Sequence, residues 1–181
     1  MDLSSQNLRI DSSRLSLRTL EEAVVDSCYV GWLNDKNVNS FLESRFTVQT
    51  EHSVKSFVRQ IFNSSDSVLF GIFLREDGTH IGNIKLGPID NHHSTSELSF
   101  IIGESSAWRL GFATEAILCV SQWAFSELHL SKLTAGCYEQ NIGSKRALEK
   151  SDFVQEAVLK NQVIDSSGNR QDILKFARHA L

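Results

Sequence analysis

Between Thr50 and Tyr138 the spacing of apolar residues changes three times, and this narrows the possible folds more than any other feature of the chain. "TEHSVKSFVRQIFN" places Val54, Phe57, Val58 and Ile61 on one face of a helix that Thr50 can cap. "SVLFGIFLRE", "HIGNIKLGPID" and "SELSFIIG" then follow as short, apolar, β-rich runs, the first two joined by "EDGT" as a hairpin turn. "GFATEAILCVSQWAFSEL" returns to a helical period, with Ala113, Ala116, Ile117, Val120 and Ala124 along one face, and "SKLTAGCY" reads as a strand. A strand, a long helix and a strand in succession give one β-α-β unit, and the hairpins around it give antiparallel pairs.

The flanks complete the pattern. "RLSLRTL" alternates as a strand, with Leu15, Leu17 and Leu20 on one side. "TLEEAVVDSCYVGWLND" reads as a helix capped by Thr19, with Glu21 and Glu22 in its first turn. "NIGSKRALEKS" is a short helix, and "DFVQEAVLKNQVID" with "RQDILKFAR" forms a closing hairpin. The order β-αα-βββ-α-β-α-ββ specifies an α/β (α+β) fold, a mixed and largely antiparallel central sheet flanked by helices. Neither repeats nor linker-like tracts interrupt the chain, and its one proline, Pro88, marks no boundary. Residues 1–181 are therefore expected to form one domain, with 1–13 as a flexible N-terminal arm.

Charge and composition exclude several roles. A net charge of −4 gives no basic stripe for nucleic acid. No apolar run approaches the roughly 20 residues that cross a bilayer. The opening "MDLSSQNLRIDSSRL" lacks the basic-then-apolar order of a secretory signal. Cys28, Cys119 and Cys137 are widely spaced and odd in number, which offers neither a disulfide framework nor a zinc knuckle. A reduced, cytoplasmic setting without metal is the expectation. His92 and His93 near Asp90 read as a surface turn, and His80 and His129 have no evident partner.

At the start of the long helix stands "AWRLGFATEA", Ala107 to Ala116. The first N–H groups of a helix lack internal acceptors and carry partial positive charge. With Gly111 and Ala113 small, a diphosphate can approach Leu110, Gly111, Phe112, Ala113 and Thr114, and Arg109 adds a charge. Taken alone, one glycine before a helix is most often a packing device. The stretch has neither the three glycines of a dinucleotide fingerprint nor the Gly-Lys-Ser/Thr of a P-loop.

"WRLGFATEA" resembles the Q/R-x-x-G-x-G/A loop of the GNAT acetyltransferases, in the form found in their ribosomal-protein N-acetyltransferase (Rim-type) branch. "NIGSKRALEKSDF" is similar to that branch's N-x-x-S-x-x-x-L-E-K-x-G-F segment, and "WLNDKNVNSFLESR" to its helical segment over the acceptor site. The three pieces lie in register with the β/α order over about residues 14 to 178. The resemblance implies acetyl-coenzyme A as donor and a splayed pair of strands gripping its pantetheine arm. Two positions depart from the pattern. Trp108 replaces the usual Gln or Arg, and Asp152 stands where glycine is usual, a place aspartate tolerates in a left-handed turn.

Acetyl transfer from a thioester to an amine needs a neutral amine, a polarised carbonyl and a proton for the thiolate. Deprotonating a lysine-type amine at pH 7 costs about 4 kcal/mol, an N-terminal amine about 1. Glu97 in "SELSF" is the first candidate base, equally readable as a strand-edge glutamate in solvent; Glu43 and Asp35 are weaker ones. Many relatives take the proton donor from a tyrosine at the place of Leu148, which closes that route here. The Rim-type resemblance points instead to Ser144. Asn141 would hold the pantetheine amide and is equally suited to cap a helix. Backbone N–H groups around Phe100, Ile101 and Ile102 are expected to polarise the carbonyl, and Lys145 and Arg146 to meet the ribose phosphate or water. Cys119 and Cys137 read as small buried hydrophobes, and Trp32, Phe41 and Phe46 as core or acceptor-pocket residues.

The resulting expectation is an N-acetyltransferase working by direct attack in a ternary complex with acetyl-coenzyme A and an amine, either a protein N-terminus or a small molecule. The first rival is an amino-sugar-nucleotide N-acetyltransferase of surface-polysaccharide synthesis. A rival of another class is a non-catalytic acyl-coenzyme A-binding module. The residues leave monomer and homodimer both open.

Overall fold

The run "VLFGIFL" offers no polar face, so a strand built from it needs cover on both sides. The computed structural model, which describes residues 3, 4 and 6–180, provides that cover within an eight-stranded sheet. In chain order the elements are β1 (Arg9–Asp11), β2 (Leu15–Thr19), α1 (Ser27–Asn34), α2 (Lys36–Asn39), α3 (Glu51–Phe62), β3 (Val68–Leu74), β4 (His80–Asp90), β5 (Thr95–Ile102), α4 (Phe112–Ser126), β6 (Lys132–Tyr138), α5 (Ile142–Glu149), β7 (Val154–Ile164) and β8 (Arg170–His179). Short 3-10 turns occupy residues 22–24, 43–46 and 105–107. The strands lie in the order β1-β2-β3-β4-β5-β6-β8-β7. Among the described residues only the β5–β6 pair is parallel, with α4 as its crossover.

β3 shows how the layers form. Phe70 and Ile72 point to one face and pack in a cluster with Ile117, Val120 and Ala124 of α4. Leu69 and Phe73 point to the other and pack with Tyr29 and Trp32 of α1 and Val54, Val58 and Ile61 of α3. Each fully buried side chain of this kind contributes about 1.5–3 kcal/mol of transfer free energy. Thr50 caps α3 through Ser53 N–H at 3.1 Å, and the Ser53 hydroxyl returns a contact to Thr50 N–H.

The N-terminal third departs from the expectations. Residues 9–11 are not part of a flexible arm: they pair with β2, Ile10 opposite Leu17, and Leu3 is buried with its N–H on the Ser65 carbonyl. Thr19 is not a helix cap either. It ends β2, and its hydroxyl accepts from Leu8 N–H at 3.0 Å. The helix starts only at Ser27, where the Asp26 carboxylate accepts from Tyr29 N–H at 2.8 Å.

One seam in the sheet is incomplete. β5 and β6 are joined at Thr95–Lys132, Ser96–Leu133 and Glu97–Thr134, and the ladder stops there. Beyond it β5 is paired with β4 alone as far as Ile102, and β6 with β8 alone as far as Tyr138. The two strands splay.

Candidate active site

The gap between the splayed strands opens into a cleft of about 720 Å³. Along β5 the side chains alternate, Ser96 and Leu98 buried in the sheet, Glu97 and Ser99 exposed toward the cleft. Glu97 lies within the sheet rather than at its edge, its side chain 48% exposed and its carboxylate 3.1 Å from Lys175 Nζ on β8. Gly136 of β6 pairs with Lys175, and a Cβ there would meet Lys175 Nζ at 3.3 Å. The bare glycine leaves the lysine its passage.

A second group closes the cleft from the helical side. The turn at residues 43–46 brings Glu43 to Tyr138, whose hydroxyl donates to Glu43 Oε1 at 2.5 Å. Arg45 donates to the same hydroxyl at 3.0 Å, to the Leu42 carbonyl at 2.7 Å and to the Ile164 carbonyl. Its side chain is only 7% exposed, so this guanidinium fastens the turn to the ends of β6 and β7 rather than meeting solvent. Burial, then the bond to Glu43, pushes the Tyr138 phenol above its usual value and keeps it protonated near neutrality. Phe41 stacks obliquely on Tyr138, ring centroids 5.7 Å apart.

The start of α4 is built as a bare helix end. Arg109 (φ 63°) and Gly111 (φ 85°) both take left-handed backbone, and no side chain caps the helix. Trp108 Nε1 donates to the Ile102 carbonyl at 2.7 Å, folding the loop back on β5. Leu110 and Gly111 are exposed, and Phe112, Ala113 and Thr114 are half-buried. At the next helix Asn141 Oδ1 accepts from Ser144 N–H at 3.1 Å, so the cap role weighed for Asn141 is the one it fills here. Asp152 has φ 63°, the left-handed turn its residue type permits.

Of the residues singled out in the sequence, Glu97, Phe100, Ile101, Asn141, Ser144 and Glu43 line one cleft. Ile102, Arg109 to Thr114 and Lys145 are not among its walls; residues 109–114 instead make the helix start beyond the end of β5. Asp35 caps α2, accepting from Asn37 N–H at 2.9 Å, and is not among the cleft's walls. Leu148 is fully buried. Tyr138, Arg45 and Lys175 were missed. Gly136 in mid-strand was the available signal for Lys175; no sequence spacing links Tyr138 to a turn more than 90 residues earlier.

Other residues fall into place as structure. His80 has partners after all: its Nε2 lies 2.9 Å from the Gly82 carbonyl and 3.0 Å from Asn83 Oδ1, and its ring stacks on Phe73 at 4.8 Å. Asp90 accepts from the backbone N–H of both His92 and His93, an ordinary turn. Among the described residues no three His, Cys, Asp or Glu side chains gather as a metal site, and no helix is long and apolar enough to cross a membrane. Burial pushes the Cys137 thiol up to about 11, far from a nucleophilic thiolate at neutral pH.

An uncapped helix after a strand that parts from its parallel neighbour is the geometry the resemblance implied, and the sequence comparison decides the family. Residues 14–154 match the acetyltransferase (GNAT) domain. The chain belongs to the GNAT acetyltransferase family. It is 28% identical over 153 residues to YoaA of Bacillus subtilis, described as an uncharacterized N-acetyltransferase, covering 83% of this chain and 85% of that one. Its fold is similar to RimL, a ribosomal L7/L12 alpha-N-protein acetyltransferase solved with coenzyme A, with a TM-score of 0.85 at 15% identity over 95% of this chain and 98% of that one. It is also similar to a spermidine N-acetyltransferase from Vibrio cholerae solved with coenzyme A and spermine, with a TM-score of 0.82 at 21% identity over 93% and 96%.

Proposed function

We propose that this GNAT protein transfers acetyl from acetyl-coenzyme A directly to a primary amine held in the same complex. The observation that carries the reading is the end of the β5–β6 ladder at Glu97 and Thr134, which opens a cleft walled by Glu97, Asn141 and Ser144. The pantetheine arm would lie between the splayed strands, its amide beside Asn141, with the diphosphate at the bare start of α4 near Arg109 to Thr114. Lys145 would serve the ribose phosphate. Backbone N–H groups between Phe100 and Ile102 on the unpaired side of β5 would polarise the thioester carbonyl.

In that arrangement the amine nitrogen forms a bond to the carbonyl carbon and the carbon–sulfur bond breaks. Glu97 takes the amine proton, directly or through water, and the Ser144 hydroxyl donates to the leaving thiolate. The elevated Cys137 thiol argues against an acyl-cysteine intermediate and for direct attack.

The charges lining the cleft balance: two carboxylates, Glu43 and Glu97, are matched by two ammonium groups, Lys85 and Lys175, the latter already paired with Glu97. Such a field favours neither a polyamine nor an anionic sugar nucleotide, so the acceptor class is a matter for assay. Release of free thiol from acetyl-coenzyme A is the test, with peptides, polyamines and nucleotide-linked amino sugars as acceptors. Turnover with one class supports transfer and names the acceptor. Thermal stabilisation by acetyl-coenzyme A with no turnover on any amine would favour a binding module instead.

A further inference from the structure

Glu115 sits in the first turn of α4, where its charge would oppose any anion bound at the helix start. The structure engages both of its oxygens with one short segment, the turn between β1 and β2. Oε1 accepts from the Ser12 hydroxyl at 2.8 Å, the Ser13 hydroxyl at 2.9 Å and the Arg14 N–H at 2.9 Å. Oε2 accepts from Arg14 Nε at 2.7 Å and lies 2.6 Å from Arg14 Nη2. Isolated surface ion pairs contribute little, but here two guanidinium nitrogens converge on one oxygen within a wider network.

The other arm of the guanidinium reaches the loop itself. Arg14 Nη1 donates to the Leu110 carbonyl at 3.0 Å, and the guanidinium carbon lies 4.4 Å from the centre of the Phe112 ring. Nη2 is 3.5 Å from where a Cβ on Gly111 would stand, so Arg14 packs directly behind this residue. In a trans peptide the N–H points opposite to the C=O. Drawing the Leu110 carbonyl toward Arg14 therefore turns the Gly111 N–H to the other side of the loop, away from Arg14.

We propose that Arg14 is a positioning residue for the coenzyme: through Leu110 and Glu115 it aims the Gly111 amide and the start of α4 at a diphosphate while cancelling the Glu115 charge. The proposal rests on the coenzyme-binding reading given above. Arg14 need not touch the ligand. A lysine would keep the charge yet could not hold Glu115 and the Leu110 carbonyl together.

Calorimetric titration with coenzyme A, and with its nucleotide half 3′-phospho-ADP, tests this on wild type, Arg14→Ala, Arg14→Lys and Glu115→Gln. Arg14→Ala and Arg14→Lys are each expected to weaken both ligands by about the same factor, on the order of tenfold, the weight of one or two hydrogen bonds. Glu115→Gln loses the anchor of Arg14 but also the opposing charge, so its loss should be smaller. Melting temperatures should stay within a few degrees of wild type; if Arg14→Ala does not fold, Arg14→Lys carries the same expectation. Wild-type affinity in Arg14→Lys would replace positioning by simple charge attraction and overturn the proposal. So would a loss for coenzyme A with none for 3′-phospho-ADP, which would place the effect at the pantetheine slot. A wild-type protein that binds coenzyme A beside variants that bind it equally well sinks the positioning role of Arg14 alone. A wild type that binds neither ligand sinks the functional reading with it.

Discussion

Lys175 Nζ and Glu97 Oε1 stand 3.1 Å apart, the lysine reaching past the bare backbone of Gly136 to hold the proposed base. The pair fixes the carboxylate where the splayed strands separate. Glu97→Gln keeps the size and loses the basicity. Its kcat/KM at pH 7 is expected to fall at least about tenfold and to recover partly at alkaline pH, where the amine loses its proton unaided. A pH–rate profile identical to wild type would take Glu97 out of the chemistry.

Tyr138 joins Glu43 and Arg45 through a single hydroxyl. Removing it in Tyr138→Phe unties the 43–46 turn from β6 and leaves the Glu43 carboxylate loose. The acceptor KM is expected to rise several-fold while coenzyme A affinity, read by calorimetry, stays unchanged. Stability should drop by about 1 kcal/mol, the usual net weight of such a bond. A coenzyme affinity that moves with the acceptor KM would contradict the assignment of this group to the acceptor side.

Two glycines make opposite predictions under the same substitution. Gly111 holds φ 85° at the start of α4, and an added Cβ would meet only an ordinary contact at 3.5 Å, so Gly111→Ala costs backbone strain of about 1–2 kcal/mol. Gly31 is inside α1 with open space around its Cβ position, so Gly31→Ala should gain about 0.5–1 kcal/mol. Urea midpoints of the two variants should shift in opposite directions, with coenzyme binding weakened only in Gly111→Ala.

His80 is packed against Tyr29, Trp32 and Phe73, and this burial lowers its pKa below the usual histidine value despite the contacts to Asn83 and Gly82. A depressed folded value means the unfolded chain takes up the proton first. The stability His80 contributes is thus complete above about pH 6.5 and is lost as the pH falls toward its folded value. Between pH 7.5 and pH 5 the wild type should lose more stability than His80→Gln in urea titrations. Parallel curves would show that another group governs acid sensitivity.

Periodicity made most of the frame legible. The switch from the α3 face Val54, Val58 and Ile61 to the two-sided run of β3, and back to the α4 face, reproduces the order of elements because each period follows from a side-chain direction. Glu97 was legible only as a residue on the "SELSF" strand; its place between the buried Ser96 and Leu98 comes from the structure. What stayed hidden depends on tertiary approach. Thr19 has cap chemistry but spends its hydroxyl on Leu8 across the sheet, and nothing local distinguishes the two uses. β1 is three residues long and carries only Ile10 as an apolar anchor, too short for a pattern. Arg14 meets Glu115 from 101 positions away, a distance over which no spacing rule acts.

The break in the β5–β6 ladder also separates two kinds of unpaired backbone. Raw strand edges at the rim of a sheet invite strands from other molecules. β1 and β7 form that rim here, and β7 is almost wholly exposed from Val154 to Ile164. The unpaired backbone of β5 and β6 lies instead within the sheet, β4 beyond one strand and β8 beyond the other. Whatever enters there must pass between two strands already joined at Thr95–Lys132, Ser96–Leu133 and Glu97–Thr134.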